Sequence, residues 1–532
     1  IYLFLPASAF LTFSFLFKQT AFIKLEPYGT ISFLDALVYA IITICFFFLL
    51  PRALMKKKFG FAFFCFILSS FILSTYFVAG YYEIKNKDEE AAKKHTRILL
   101  ITMDTTRADH LSVKGYDYNK ETSPGLRKIA SEGVVFKNCY SEISTTEPSH
   151  TSIFTGTYPR THGLRKNGDK VTNPNLNFLH SWLKKRGFTT AAITSRTLFS
   201  SEELGWPKFD FESYPRTRKH RSKRREIFVA KYAYKRAKDW IDNNYEKDFL
   251  LFVHFWDPHW PYIPPAPYRS RFNNGFKGYE TRPSKRSFIK DKNKYSPEEM
   301  EYTVSMYDGE IAFTDEYVTK LVRYVESKIP STSEPPLIII TADHGDVMGE
   351  MQEKLNFVFD HGETLNFGEV YIPLIIKWEG RIPAGKIFDD LVESVDIAPT
   401  ILDLLEERGK FNYEGKSFAP LLFGKDYIPK DALFEQKRDY QGHPIAFVNA
   451  PEYAVTTKKW RLIVNDVRGI ELYDVINDRL EQTNLAEKYP DVVKNLLAKL
   501  DDWKAKHPPA PRYEGKMSKK KTDVLKSLGY IQ

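Results

Sequence analysis

The sequence predicts an α/β protein with a largely parallel central sheet covered by helices. A small C-terminal α+β subdomain follows, and N-terminal transmembrane helices precede it. Short, nearly continuous apolar runs recur, the pattern of strands buried on both faces. Helical stretches separate them, as expected of a sheet covered on both sides. Three of the runs also end on an Asp with a His close behind. Ligands of such sheets bind outside the carboxyl ends of the strands.

The first 81 residues contain apolar runs at 1–17, 31–50 and 59–80, each near the ~20 residues that cross a bilayer. Arg52, Lys56, Lys57 and Lys58 lie between the second and third runs. The positive-inside rule makes that loop cytoplasmic and puts everything after Tyr81 on the far side. The expected location is a bacterial cytoplasmic (inner) membrane, multi-pass, with an extracytoplasmic catalytic domain. One hydrophobic region would suffice for a cleaved signal peptide, so three argue for spans. The first residue is Ile rather than Met, so the natural chain is expected to begin earlier. The expected organisation is a membrane segment at 1–81, a polar linker at 82–96, a catalytic domain at 97–391, and its C-terminal part at 392–532.

Strand candidates are 97–103, ending on Asp104; 188–194, ending on Ser195-Arg196; and 249–255, leading to Asp257-Pro258-His259. Two more are 337–340, leading to Asp343-His344-Gly345, and 372–377. Helices are expected at 124–132, 178–185, 229–243, 297–327 and 397–407. Beyond residue 392 the pattern changes to shorter strands at 446–464 and 469–472, then an amphipathic helix at 490–504. Residues 516–521 read as a basic tail, and 525–530 as a segment that docks back.

The 532 residues carry 77 Lys+Arg against 67 Asp+Glu, a net charge of +10. Part of that excess lies in short runs that face solvent or anionic lipid. No zinc-finger spacing or RNA-binding motif accompanies them, which excludes nucleic acid as the expected partner. Cys45 and Cys65 fall in apolar runs and Cys139 stands alone, so no disulfide framework is indicated. There is no Asn-x-Ser/Thr sequon, which leans away from a glycosylated secretory protein.

The chemistry gathers around Thr146-Glu147-Pro148-Ser149-His150. Pro148 fits the first turn of a helix, Thr146 then sits at or near the N-cap, and Gly156 is a C-terminal stop. On this stretch alone a cap explains the threonine. The same position also offers free backbone N–H groups and dipole potential to an anion. Asp104, Asp257, His259, Asp343 and His344 are expected at the strand ends beside it. Carboxylates, imidazoles and a hydroxyl suit one divalent metal ion, Zn, Mn, Mg or Ca. Metal coordination favours the alkoxide of a threonine, so the assembly suits attack on a phosphorus or sulfur centre bearing anionic oxygens. His259 and His361 are candidates to protonate the leaving group. His254 reads as a packed or hydrogen-bonded core residue, and His110 and His162 as either structural or functional.

These residues resemble the sulfatase family of the alkaline phosphatase superfamily. The matching stretches begin at Asp104-Thr105-Thr106-Arg107, Thr122-Ser123-Pro124, Thr146, Tyr158-Pro159-Arg160-Thr161-His162-Gly163, Asp257-Pro258-His259, Asp343-His344-Gly345 and His361-Gly362-Glu363. Pro373–Trp378, Val395–Thr400, Trp460–Ile463, Glu471–Asp474 and Leu528–Tyr530 extend the likeness. The resemblance implies that Asp104, Thr146, Asp343 and His344 hold the metal, that Thr146 is the nucleophile, and that Asn167 and His259 contact the transferred group. His361 matches a site histidine. Ser195-Arg196 stands where many sulfatases have a lysine, leaving Arg196 as a substrate-binding candidate.

The departures bear on mechanism. Usual sulfatases carry a Cys or Ser, oxidised to formylglycine, where this chain has Thr146, and an Arg where it has His150. Threonine cannot become formylglycine. Many sulfatases also have a second Asp where this chain has Thr105. A threonine nucleophile instead resembles the membrane-bound phosphoethanolamine transferases and lipoteichoic acid synthases of the same superfamily. The leading expectation is a membrane-anchored hydrolase of sulfate, phosphate or phosphonate esters acting on an anionic ester substrate. The first alternative is a phosphoethanolamine- or glycerophosphate-type transferase acting on envelope lipid or glycan. The second is a catalytically inactive receptor or scaffold, which would need none of Asp104, Thr146, Asp343 and His344.

Overall fold

A computed structural model describes residues 95–519 apart from 117, 196–199, 215–228, 274, 277–286, 291–292, 331–332 and 408–410, together with 521, 522 and 525. The three expected spans lie outside the described residues. Among the described residues no helix is long and apolar enough to cross a membrane.

Eight strands form the main sheet: β1 (Arg97–Met103), β2 (Val134–Tyr140), β3 (Thr189–Thr194), β4 (Phe211–Ser213), β5 (Phe249–Phe255), β6 (Leu337–Thr341), β7 (Tyr371–Lys377) and β8 (Lys386–Glu393). Their order is β8-β2-β7-β6-β1-β5-β3-β4. Within this sheet only β7 runs antiparallel to its neighbours, β2 and β6. The central strands β1, β5 and β6 are buried at every position, which is why they read as unbroken apolar runs.

Side chains alternate across the sheet, and β1 divides accordingly. Leu99, Ile101 and Met103 join a core that includes Val318, Leu321 and Val322 of the long helix Pro297–Lys328. Ile98 and Leu100 join a second core with Ile153, Phe154, Ile401 and Leu402. Two separate cores on opposite faces of one sheet make a three-layer sandwich. The long helix begins where Pro297 predicts, behind a capping box in which the Ser296 hydroxyl accepts from the Glu299 amide at 3.2 Å.

The C-terminal part has a four-stranded antiparallel sheet, β9 (Leu433–Gln436), β10 (Glu452–Thr456), β11 (Trp460–Asn465) and β12 (Gly469–Asp474), in that order. Helix Pro490–Lys506 covers it with Leu496, Leu500 and Trp503. The stretch 446–464, expected as strand, is a helical turn, Ala446–Asn449, followed by a hairpin. Pro451 interrupts the run, and Thr457-Lys458-Lys459 supplies the turn.

β2 and β8 were not expected from the pattern. β8 lies at the sheet edge and Asp389 and Asp390 interrupt its apolar residues, while Lys137 and Asn138 interrupt the apolar run of β2. Both strands also slip register where they pair, between Phe388 and Leu391 and between Phe136 and Cys139. Cys139 is buried and unbridged, as its isolation predicts.

Candidate active site

Sheet register brings the first residues of the site together. Thr102 of β1 pairs with Thr341 of β6. Two residues beyond that pair, Asp104 and Asp343 leave the ends of adjacent strands side by side, and His344 follows. Asp104, Asp343 and His344 are fully buried, and a ligand atom from each lies within 4.8 Å of the others.

Helix α1 (Thr146–Thr155) delivers the hydroxyl. Ser149 Oγ donates to the Asp343 carbonyl at 2.7 Å, tying the start of the helix to the end of β6. Thr145, not Thr146, takes the cap position; its backbone is extended and its side chain makes no capping bond. Thr146 is therefore the first helical residue, and its hydroxyl stands 3.1 Å from Nε2 of His344. Gly156 ends the helix with φ 65°, in the left-handed region where glycine is favoured.

Hydrogen bonding fixes the His344 tautomer. Nδ1–H donates to the Gly345 carbonyl at 2.8 Å, so the neutral ring turns a lone pair on Nε2 towards Thr146. That nitrogen is 3.5 Å from Asp343 Oδ2 and 4.0 Å from Asp104 Oδ1. Asp343 Oδ1 accepts from the amides of His344 and Thr105, at 3.0 and 3.3 Å. Its Oδ2 is buried without a hydrogen-bond partner among the described residues. A buried carboxylate oxygen left over beside an imidazole lone pair and a second carboxylate is the donor set of a divalent cation. The residues present fit such an ion.

Thr105 sits at φ 49°, unusual for a β-branched residue. Its amide faces Asp343, and its carbonyl accepts from the Tyr307 hydroxyl at 2.7 Å. The neighbours of Asp104 in its motif face away from the metal group. Arg107 pairs with Asp109 at 2.9 Å and with Glu350, and His110 pairs with Asp308 at 2.9 Å. His110 is thus structural.

Behind the group lies a chain that sequence reasoning did not assemble. His150 Nδ1–H donates to the Thr146 carbonyl at 2.8 Å, and its Nε2 lies 2.9 Å from Thr102 Oγ1. The same hydroxyl is 2.9 Å from His254 Nδ1, and His254 Nε2–H donates to Asp104 Oδ2 at 3.1 Å. Burial pushes His150 down to about 3 and His254 to about 4, so one Thr102 proton serves two imidazoles. His254 is a hydrogen-bonded core residue, as expected. The available signal was the inward-facing polar pair Thr102 and His254, directly opposed on β1 and β5. His162 packs behind the helix, with Nε2 at 3.2 Å from Ser152 Oγ and Nδ1 accepting from the Leu164 amide at 3.1 Å. Its role is structural.

Beside the ligand group three buried histidines form a row. The rings of His344 and His361 are 4.3 Å apart between centroids, and those of His361 and His259 are 5.2 Å apart. His361 Nδ1 lies 3.3 Å from Asp346 Oδ1. His259 stacks on Trp256 at 4.1 Å and is anchored through Nδ1 to the Trp260 carbonyl at 2.6 Å. Asn167 accepts at Oδ1 from the Glu147 amide at 2.9 Å, beside Thr146. The buried Nδ2 of Asn167 has no hydrogen-bond partner among the described residues. Of the expected site residues, Arg196 lies outside the described residues. The remainder, Asp104, Thr146, Asn167, His259, Asp343, His344 and His361, converge at the carboxyl end of the sheet.

The arrangement is a hydroxyl-bearing helix start facing a metal-type ligand group, with further imidazoles beside it. The family pattern described as Sulfatase matches residues 96–407. This chain belongs to the sulfatase family. A second pattern, N-sulphoglucosamine sulphohydrolase, C-terminal, matches residues 363–506. An ulvan-active sulfatase of Formosa agariphila is 23% identical over 422 residues, covering 73% of this chain and 77% of that protein. The N-acetylglucosamine-6-O-sulfatase of Bacteroides thetaiotaomicron is 24% identical over 512 residues, covering 78% and 87%. Among solved structures, the phosphonate monoester hydrolase of Agrobacterium radiobacter superposes with a TM-score of 0.64 at 18% identity, covering 78% of this chain and 96% of that one.

The sulfatase-family fold is that of the alkaline phosphatase superfamily, and the chain is a sulfatase-like ester hydrolase. Anionic sulfate esters are the substrates to which its relatives point. At the start of α1 the chain has Thr146, with His150 four residues on hydrogen-bonded to that threonine's own carbonyl.

Proposed function

We propose that this sulfatase-family protein hydrolyses sulfate or phosphonate esters through Thr146, with a divalent metal held by Asp104, Asp343, His344 and the Thr146 hydroxyl. The single observation that carries the reading is the hydroxyl of a helix's first residue, 3.1 Å from Nε2 of His344 within a buried Asp–Asp–His group. When bound, the metal supplies positive charge that favours the threonine alkoxide and the anionic oxygens of the ester.

The chain's own groups account for the rest. The N-terminal end of α1 brings its dipole potential to an incoming anion. Asn167, its carbonyl oxygen engaged by Glu147, turns its amide nitrogen to the ester oxygens. Thr146 Oγ attacks sulfur or phosphorus, and the bond to the leaving alcohol breaks. His361 or His259 gives that alkoxide a proton. A formylglycine hydrate has a second hydroxyl on the carbon that carries the group; threonine has none. Release therefore requires water to attack the sulfur or phosphorus of the Thr146 ester.

Relatives acting on ulvan and on N-acetylglucosamine-6-O-sulfate suggest a glycan ester as the substrate class. The basic loop Arg52, Lys56, Lys57 and Lys58 between apolar runs supports an anchored enzyme whose catalytic part faces outwards. The test is a panel of sulfate monoesters, phosphate monoesters and diesters, and phosphonate monoesters, offered to the full chain and to Thr146→Ala, with and without chelator. Metal-dependent turnover lost in Thr146→Ala supports the reading. Folded, metal-loaded protein inactive on every ester class would contradict it.

A further inference from the structure

The basic tail at 516–521 does not all face solvent. Lys516 and Lys519 are exposed, but Lys521 is buried. It lies in a segment that leaves helix Pro490–Lys506 and crosses the loop following α1. The Ala510 amide donates to the Arg160 carbonyl at 2.8 Å, and Thr172 Oγ1 donates to the Pro511 carbonyl at 2.7 Å. Further on, Ser518 Oγ donates to Glu203 Oε1 at 3.0 Å. Leu525 is fully buried in the same core as Ile153 and Phe154 of α1. The segment is built into the fold at both ends.

Between those anchors, Lys521 Nζ reaches Glu147 Oε2 at 3.1 Å. Glu147 follows Thr146 directly and is fully buried. The same carboxylate oxygen accepts from the Gly168 amide at 2.8 Å, while the Glu147 amide donates to Asn167 Oδ1 at 2.9 Å. One residue thus joins the start of α1 to 167–168, and Lys521 is its ion-pair partner. Gly168, at φ +101°, also packs on the segment: a Cβ there would collide with Met517 Sδ. A buried carboxylate that loses its cation is strongly disfavoured and relaxes by moving or taking up water.

We propose that Lys521 is a positioning residue of the active site: its ammonium, carried in by the C-terminal segment, holds Glu147 and thereby the mutual placement of Thr146 and Asn167. The inference deepens the reading of Thr146 and Asn167 as reacting and binding groups, and rests on it for its kinetic part.

The experiment compares the full chain with Lys521→Met, Lys521→Arg and the control Leu500→Ala, which opens a buried site on the C-terminal helix away from Glu147. Amide hydrogen exchange of peptides spanning 144–154 and 165–170 is read without substrate, alongside Tm, kcat and KM. Lys521→Met should speed exchange in both peptides about tenfold and lower kcat about ten- to a hundredfold with KM nearly unchanged. Lys521→Arg, which keeps the charge, should recover most of both effects. Leu500→Ala should lower Tm without moving either peptide. Wild-type exchange in Lys521→Met, no rescue by Lys521→Arg, or faster exchange with unchanged kcat would each overturn the proposal. A covalent adduct on some residue other than Thr146 would instead overturn the nucleophile reading, leaving the exchange prediction intact.

Discussion

The imidazoles of His361 and His344 face each other with centroids 4.3 Å apart, inclined at 43°. His344 belongs to the metal-type ligand group, and the proposed mechanism makes His361 a candidate acid for the leaving group. Its Nδ1 lies 3.3 Å from Asp346 Oδ1.

His361→Ala should therefore slow hydrolysis of alkyl esters by about 10²–10⁴-fold. Aryl esters whose phenolate leaves without a proton should lose much less. Rates compared across a series of leaving groups check this, and His259→Ala run in parallel separates the two rings. Equal losses for alkyl and aryl esters would remove His361 as the acid.

Asp343→Asn should abolish tight metal binding while sparing the fold. Asparagine keeps the Oδ1 acceptor that serves the amides of Thr105 and His344. What it loses is the charge and the Oδ2 oxygen that has no other partner among the described residues. Elemental analysis of folded Asp343→Asn should find metal content well below wild type, and unchanged content would take Asp343 out of the ligand set.

Glu142 gives the fold a pH dependence of its own. Burial pushes its carboxyl up to about 8, although it accepts a hydrogen bond from Ser394. Between about 4.5 and about 8 the folded chain holds a proton that the unfolded chain has released. Stability must then fall as pH rises through that window, by at most roughly 1.4 kcal/mol per unit, and level off above it. Glu142→Gln mimics the protonated form. Its Tm advantage over wild type should be absent near pH 4.5 and grow towards pH 8, and differential scanning calorimetry across that range reads it.

The proposed membrane orientation rests on the basic loop at 52–58. Reporters fused at Gln532 should be active when they require an extracytoplasmic location and inactive when they require the cytoplasm. The opposite pattern would reverse the proposed topology and disfavour an envelope substrate.

Much of the architecture was legible because buried parallel strands leave unbroken apolar runs. Arg97–Met103, Phe249–Phe255 and Leu337–Thr341 carried that signal, and the first and last of them lead to the site's carboxylates Asp104 and Asp343. β8, Lys386–Glu393, was hidden because Asp389 and Asp390 interrupt its apolar residues at the sheet edge. The direction of β7 was hidden too, because an antiparallel strand buried on both faces reads like a parallel one. Within the site, single residues after strands were visible, whereas couplings across the fold were not. Thr102 bridging His150 and His254 depends on three elements meeting, as does Lys521 meeting Glu147 from 374 positions away along the chain. Local pattern marks only the inward-facing Thr102 and His254, with no trace of His150 joining them or of Lys521 meeting Glu147.

The central claim is that Thr146 carries the transferred group. Thr146→Ala should cost several orders of magnitude in turnover at saturating metal, roughly 4–8 kcal/mol of barrier. Loss of a cap would instead cost about 0.5–2 kcal/mol of stability with little effect on rate. Thr146→Ser keeps a hydroxyl and should retain part of the activity. The most direct measurement is rapid acid quench during turnover, followed by peptide mass analysis. The account predicts a sulfate or phosphonate adduct on the peptide containing Thr146, absent from Thr146→Ala. An adduct on another residue, or near-normal turnover by folded Thr146→Ala, would contradict it.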